Sequence, residues 1–159
     1  MNGRRALRLG AKAVHDIASI AFGGALAACL VINLTGNPAS PAEFVTARQV
    51  FAAIAQFVLI PSMAVVVVSG LIAMAATGGY HDAGWAWAKA LLGISVFVAT
   101  VRLVGTSSKR AELAVATTDT GLLDAMLRSE RNMIWLLIVL CVVNVVLAVW
   151  RPKIMITVR

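Results

Sequence analysis

The sequence predicts an all-α protein: a four-transmembrane-helix bundle with helical extensions beyond the membrane on one side. Three observations carry this expectation. Hydrophobic residues make up 60% of the 159-residue chain and charged residues 13%, against about 25% charged in a typical soluble domain. The apolar residues fall into four runs, each close to the roughly 20 residues that a helix needs to cross hydrocarbon. Turn and breaker residues separate those runs. The length leaves room for one integral membrane domain, residues 1–159.

The first span covers about residues 11–34, and Gly36-Asn37-Pro38 ends it. Its basic start resembles a signal peptide, with Ala39-Ser40 in the place of a cleavage region. The apolar stretch outruns signal-peptide length and reads as a retained helix. Ser19, Gly23, Gly24, Ala27 and Ala28 put small residues at i, i+4 spacing, which lets backbones approach, so this face is expected to meet another helix.

The second helix has the clearest start. Ser40-Pro41-Ala42-Glu43 combines an N-cap serine, proline at the first helical position and glutamate at the capping-box position. Residues 40–49 form an extension that carries Glu43, Arg48 and Gln49 past the hydrocarbon, and residues 50–76 form the span. Pro61 interrupts it, and a kink is expected there because proline removes one backbone hydrogen bond.

A short turn from Thr77 to Gly84, containing His81, leads to the third span over residues 85–105. A second extension covers residues 108–131, with a turn at Thr118-Asp119-Thr120-Gly121. Leu122, Leu123, Met126 and Leu127 fall on one face of its last helix, and Asp124 and Arg128 stand in the favourable i, i+4 order. That helix continues into the fourth span, residues 132–150. Trp85, Trp87, Trp135 and Trp150 lie near span ends, where interfacial indoles belong.

The net charge of +7 would suggest nucleic acid in a soluble protein. Here the basic residues gather at span ends, where lipid phosphates and orientation require them, and no aromatic interleaving for single strands is present. The expected partner is the lipid bilayer, with no nucleic acid. Four spans return the chain to its starting side. The basic cluster Arg4, Arg5, Arg8 and Lys12 favours cytoplasmic N and C termini. Cys29 and Cys141 lie inside apolar runs and read as packing residues rather than a disulfide or metal ligands.

Against this apolar background three polar residues stand out. His15 lies near the start of span one, Lys89 near the start of span three and Asn144 near the end of span four. Spans one and three start on one side and span four ends there, so the three share a similar depth and form one polar site if their faces converge. Each also has a plainer reading. Lys89 can snorkel to headgroups, His15 can be an interfacial or interhelical hydrogen-bonding residue, and Asn144 can be helix–helix glue. Asp16 points about 100° away from His15 and is expected to pair with Lys12 or water. His81 is a polar residue of a solvent-side turn. Arg102 is expected to reach lipid phosphate or the polar extension, with Arg48 facing it as the alternative, an anion pocket.

Several classes are excluded. No C-x-x-C-H, HExxH, P-loop or G-x-S-x-G pattern occurs. A second intramembrane histidine is absent, so one chain cannot build a bis-His haem. The methionines lack the paired spacing of a copper relay. No Asp or Glu falls in mid-span, where a carboxylate relay would need one.

The motifs Lys12-Ala13-Val14-His15, Ile60-Pro61 leading to Ser69-Gly70-Leu71, and Trp85-Ala86-Trp87-Ala88-Lys89 resemble a loose group of four-helix bacterial membrane proteins. The group contains an integral membrane family of unknown function, the CopD-like copper-resistance domains and the HemJ-type protoporphyrinogen oxidases. The resemblance spans roughly residues 10 to 150, and the unknown-function family is the nearer match. In the HemJ-type enzymes a first-span histidine and a third-span lysine are linked to haem b binding and porphyrinogen oxidation. At the matching motif positions those residues are His15 and Lys89.

Two functions follow as expectations. One is a small haem- or porphyrin-associated protein of a bacterial inner membrane, and if it is an enzyme, a porphyrinogen-oxidase-like oxidoreductase. In it His15 is the metal ligand or proton acceptor, Lys89 binds a propionate or donates a proton, and Asn144 orients His15. The other is a non-catalytic accessory or assembly subunit, packed as a homo-oligomer or in a larger membrane complex. A metal-handling or transport role is third.

Overall fold

The computed structural model describes residues 3–77, 83–117 and 119–150. The side chains of Arg4 and Arg5, the turn residue His81, Thr118, and the C-terminal Arg151, Lys153 and Arg159 lie outside the described residues. The helices are α1 (Gly3–Thr35), α2 (Pro41–Ile54), α3 (Ile60–Ala75), α4 (Gly84–Ala116) and α5 (Thr120–Trp150). Ala55–Leu59 is a π-helical segment that joins α2 to α3. Four continuous rods of 30 to 35 residues are thus long and apolar enough to cross a membrane. A 33-residue helix such as α1 is about 50 Å long, well beyond the ~30 Å of hydrocarbon.

The rods pack as an all-α bundle. Its core is built from Phe22, Leu26 and Cys29 of α1, Phe51, Leu59 and Met63 along the α2–α3 rod, Leu103 of α4, and Ile134 and Leu137 of α5. Cys29 is fully buried there, and Cys141 packs half-buried against it. The outward faces remain apolar: Ile20 is 76% exposed and Phe57 73% exposed. A water-soluble fold would bury such side chains; on a membrane rod they face lipid. A second, smaller core of Phe44, Ala114, Leu123 and Leu127 holds α2, α4 and α5 together at the opposite end of the bundle from the N-terminus. Of the expected leucine face, Leu123 and Leu127 are buried, whereas Leu122 is 44% exposed.

Helix α2 begins at Pro41 with Ser40 as N-cap, but Ser40 makes no side-chain cap bond. Its carbonyl accepts from the Phe44 N–H at 2.9 Å, and the Asn37 side chain turns the chain by accepting from the Ala39 N–H at 3.0 Å. The proline at the first turn therefore marks the start without the reciprocal side-chain box. Pro61 is accommodated by the π segment. The Ile60 N–H reaches five residues back to the Ala55 carbonyl. This extra residue in the turn relieves the clash that a proline ring makes with the carbonyl four positions earlier. Ser62 Oγ donates to the Val58 carbonyl at 2.5 Å beside the break.

The small-residue face of α1 departs from expectation. Nothing lies within 4 Å of a Cβ placed on Gly23 or Gly24, and Ser19 and Ala27 are exposed. The helix turns Ala18, Phe22, Ala25, Leu26 and Cys29 into the bundle instead. Larger apolar side chains on that face bury more area, and they win the core. Asp124 and Arg128 do not come within ion-pair distance, since the ion pairs among the described residues are Arg48–Glu130 and Arg110–Glu130.

Candidate functional site

At the end of the bundle that holds the chain's N-terminus, a cavity of about 530 Å³ opens between α1, α3, α4 and α5. His15, Lys89 and Asn144 all line it. The chain brings them together because α1 enters the bundle at this end, α4 starts here and α5 finishes here. The remaining wall is largely apolar, with Val66, Val67, Leu71 and Met74 from α3 and Ala86 and Ala90 from α4.

His15 is held by its Nδ1. That atom lies 3.0 Å from the Val66 carbonyl and 3.1 Å from Ser69 Oγ. A carbonyl only accepts, so Nδ1 carries the proton and donates to it. The Ser69 hydroxyl proton is engaged with the Val65 carbonyl at 2.5 Å, which leaves its oxygen as a second acceptor for Nδ1–H. In the neutral ring Nε2 then keeps its lone pair, and no described residue bonds it. Gly70 lies under the ring: a Cβ there would stand 3.5 Å from His15 Cε1. A methyl group at residue 70 would therefore meet the imidazole in ordinary van der Waals contact, and a larger side chain would crowd it.

Asn144 faces Gly93 of α4 in the same way, with its Nδ2 3.9 Å from where a Gly93 Cβ would be. Its Oδ1 is buried without a hydrogen-bond partner among the described residues. A buried, unpaired amide oxygen costs about 1–3 kcal/mol, so Oδ1 is left open to a donor that no described residue supplies. Lys89 lines the cavity from α4 and lies within electrostatic reach of His15. Arg8, Lys12 and Asp16 complete the lining from α1. Asp16 and Lys12 form no ion pair within 4 Å.

A second polar cluster escaped the sequence reading. Glu130 of α5 is 1% exposed and Arg48 of α2 3% exposed, and their side chains form a salt bridge. Arg110 Nη1 donates to the other carboxylate oxygen of Glu130 at 3.3 Å, and Asn33 Nδ2 donates to Glu130 at 2.8 Å and to the Leu127 carbonyl at 3.1 Å. The Arg48 guanidinium also lies over the rings of Phe44 and Phe51, at 5.5 and 5.0 Å. The sequence places Glu130 outside mid-span, within residues 108–131, and gives no sign that packing of these helices buries it. Arg48 does not project into solvent, and it faces Glu130 rather than Arg102, which is exposed. The signal that pointed this way was the conjunction of Asn33, Arg48 and Glu130 at the far ends of three spans.

Among the described residues no group of three His, Cys, Asp or Glu gathers to hold a metal ion. No family model, curated protein or solved structure matches the chain. Fold and site together show a polytopic membrane protein with buried polar residues at both ends of its bundle.

Proposed function

We propose that this chain is a protein of a bacterial inner membrane, with cytoplasmic termini, that holds a porphyrin-type ring, haem b, in the cavity lined by His15, Lys89 and Asn144. The carrying observation is that these three residues, dispersed over the sequence, line one cavity whose size falls in the 300–1,000 Å³ range of ligand sites. The donor set suits the group. A metal-binding histidine usually donates its other ring N–H to a carbonyl or carboxylate, and His15 Nδ1 donates to the Val66 carbonyl. That fixes the tautomer whose Nε2 is available to iron. Lys89 would meet a propionate, and the unpaired Asn144 Oδ1 would accept from a polar edge near His15.

Haem b supplies one-electron chemistry when bound. The chain's own residues present one imidazole nitrogen, surround the site with apolar side chains, and keep a cation beside the ligand's acid. The resemblance to porphyrinogen oxidases adds proton transfer, with His15 accepting and Lys89 donating.

Protein purified in detergent from cells supplied with haem should carry a Soret band, and His15→Ala should lose it while remaining folded by circular dichroism. A colourless, well-folded wild type would overturn this reading.

A second reading is favoured by one observation. The exposed Ser19, Gly23, Gly24 and Ala27 face has no partner helix among the described residues, as an accessory or assembly subunit would leave it for a neighbouring helix. Native purification returning a stoichiometric membrane partner would support it; a clean monomer would count against it.

A further inference from the structure

The cavity holds more charge than a haem ligand set requires. Arg8 and Lys12 stand one helical turn apart on α1, in the two turns that precede His15, and both line the cavity together with Lys89 across from them on α4. Neither Arg8 nor Lys12 forms an ion pair with a described residue; the described ion pairs both belong to Glu130. Asp16 is the single carboxylate among the described lining residues. Arg8 and Lys12 against Asp16 leave the described α1 side of the mouth net positive, while the wall behind it is Val66, Val67, Leu71, Met74, Ala86 and Ala90. Positive charge at a water-accessible rim and an apolar interior fit one ligand chemistry: an acidic headgroup on an apolar body.

We infer that Arg8 and Lys12 form an anion subsite at the mouth of the cavity, and that the cavity takes an anionic amphiphile by its carboxylate or phosphate. The inference rests on the reading of the cavity as a ligand site, but it assigns the ligand's charge to residues other than His15, Lys89 and Asn144. Arg8 is placed to bind an acid in a bidentate manner and Lys12 as a compact charge. Asp16, beside them, weakens the field and sets how much anionic charge the mouth tolerates. The acid can belong to an anionic phospholipid of the surrounding leaflet or to a diffusible amphiphile; both present the same group to the same residues.

The test uses the full chain in phosphatidylcholine nanodiscs and a fluorescent probe, dansylaminoundecanoic acid, with its methyl ester as the neutral control. The acid should bind saturably and the ester at least about tenfold more weakly, as loss of a charge-assisted pair requires. The double variant R8Q/K12Q should lose about the same factor for the acid and nothing for the ester. Asp16→Asn should bind the acid several-fold more tightly. Equal binding of acid and ester, or an acid affinity unmoved by R8Q/K12Q, would overturn the proposal. Both variants lie on exposed positions, and R8K/K12R should restore binding, which separates charge from folding. Adding phosphatidylglycerol to the discs distinguishes the sources: competition assigns the subsite to a bilayer lipid, and undiminished binding assigns it to a diffusible acid. Haem titration keeps the two readings apart. A chain that binds the acid through Arg8 and Lys12 but shows no His15-dependent Soret band keeps this subsite and loses haem. A chain that binds haem and its dimethyl ester alike does the reverse.

Discussion

Glu130 is the residue on which the far end of the bundle depends, because it has three partners on three helices: Asn33, Arg48 and Arg110. Removing a single partner of a buried ion pair strands the other charge, which costs about 3–5 kcal/mol, whereas replacing both by apolar residues is often neutral. Glu130→Ala should therefore destabilise the protein by about that amount in detergent unfolding curves, and Arg48→Met/Glu130→Met should be more stable than either single change. A double variant as destabilised relative to wild type as the singles would show that the pair itself contributes net stability. Gly70 makes a different kind of contact. Its absent side chain faces the His15 ring at an ordinary van der Waals distance of 3.5 Å. Gly70→Ala should be tolerated, gaining about 0.5–1 kcal/mol from helix propensity, whereas Gly70→Leu should cost about 1–3 kcal/mol by overpacking. Unfolding of both variants without any ligand measures this, and equal stabilities would mean that the ring is not seated on residue 70.

At the scale of elements, the four rods were legible because length, apolarity and breakers agree, and Ser40-Pro41 marks a start that the fold uses. The depth of His15, Lys89 and Asn144 was legible for the same reason: helix rise converts sequence position into height. Rotation about each axis was not. Ser19, Gly23 and Ala27 look like a packing face, yet the bulkier Phe22, Leu26 and Cys29 take the interior. The Arg48–Glu130 pair joins residues 82 positions apart, and no local pattern announces a contact of that range. Pro61 signalled an irregularity but not its form, since a kinked α-helix and a π segment answer the same lost hydrogen bond. The difference has a consequence. The π segment Ala55–Leu59 sets the rotation of α2 relative to α3, and deleting Phe57, which faces outward, would turn α2 by about 100°. Phe44, Arg48 and Phe51 would leave their sites together. The deletion should thus cost at least as much stability as Glu130→Ala, although it removes only a lipid-facing side chain. A deletion variant as stable as wild type would mean that the segment has no part in setting register.

For the whole molecule, the two polar ends differ in what they do with charge. At the far end Arg48 and Arg110 are bound to Glu130, which leaves Arg102, Lys109, Arg128 and Arg131 as its remaining cations. At the terminal end Arg8 and Lys12 line the cavity mouth without an ion pair to a described residue, and the sequence adds Arg4, Arg5, Arg151, Lys153 and Arg159. Positive charge that stays available to lipid and cytosol sets orientation, and by that measure the terminal end is the more basic one. That is the basis of the proposed orientation with this end on the cytoplasmic side, where anionic lipids would attract it further. In that orientation the cavity would open toward the cytoplasmic leaflet, and the proposed ligand would arrive from there. Single cysteines test this directly. Ala39→Cys, on the exposed α1–α2 connection, should react with a membrane-impermeant maleimide in intact spheroplasts. Gly3→Cys, at the start of α1, should react only after the membrane is opened. Wild type supplies the background, since Cys29 is buried and Cys141 half-buried in the spans. The opposite labelling pattern would invert the molecule. It would also place the Arg8–Lys12 mouth on the outer face, where a cytoplasmic acid could not reach it.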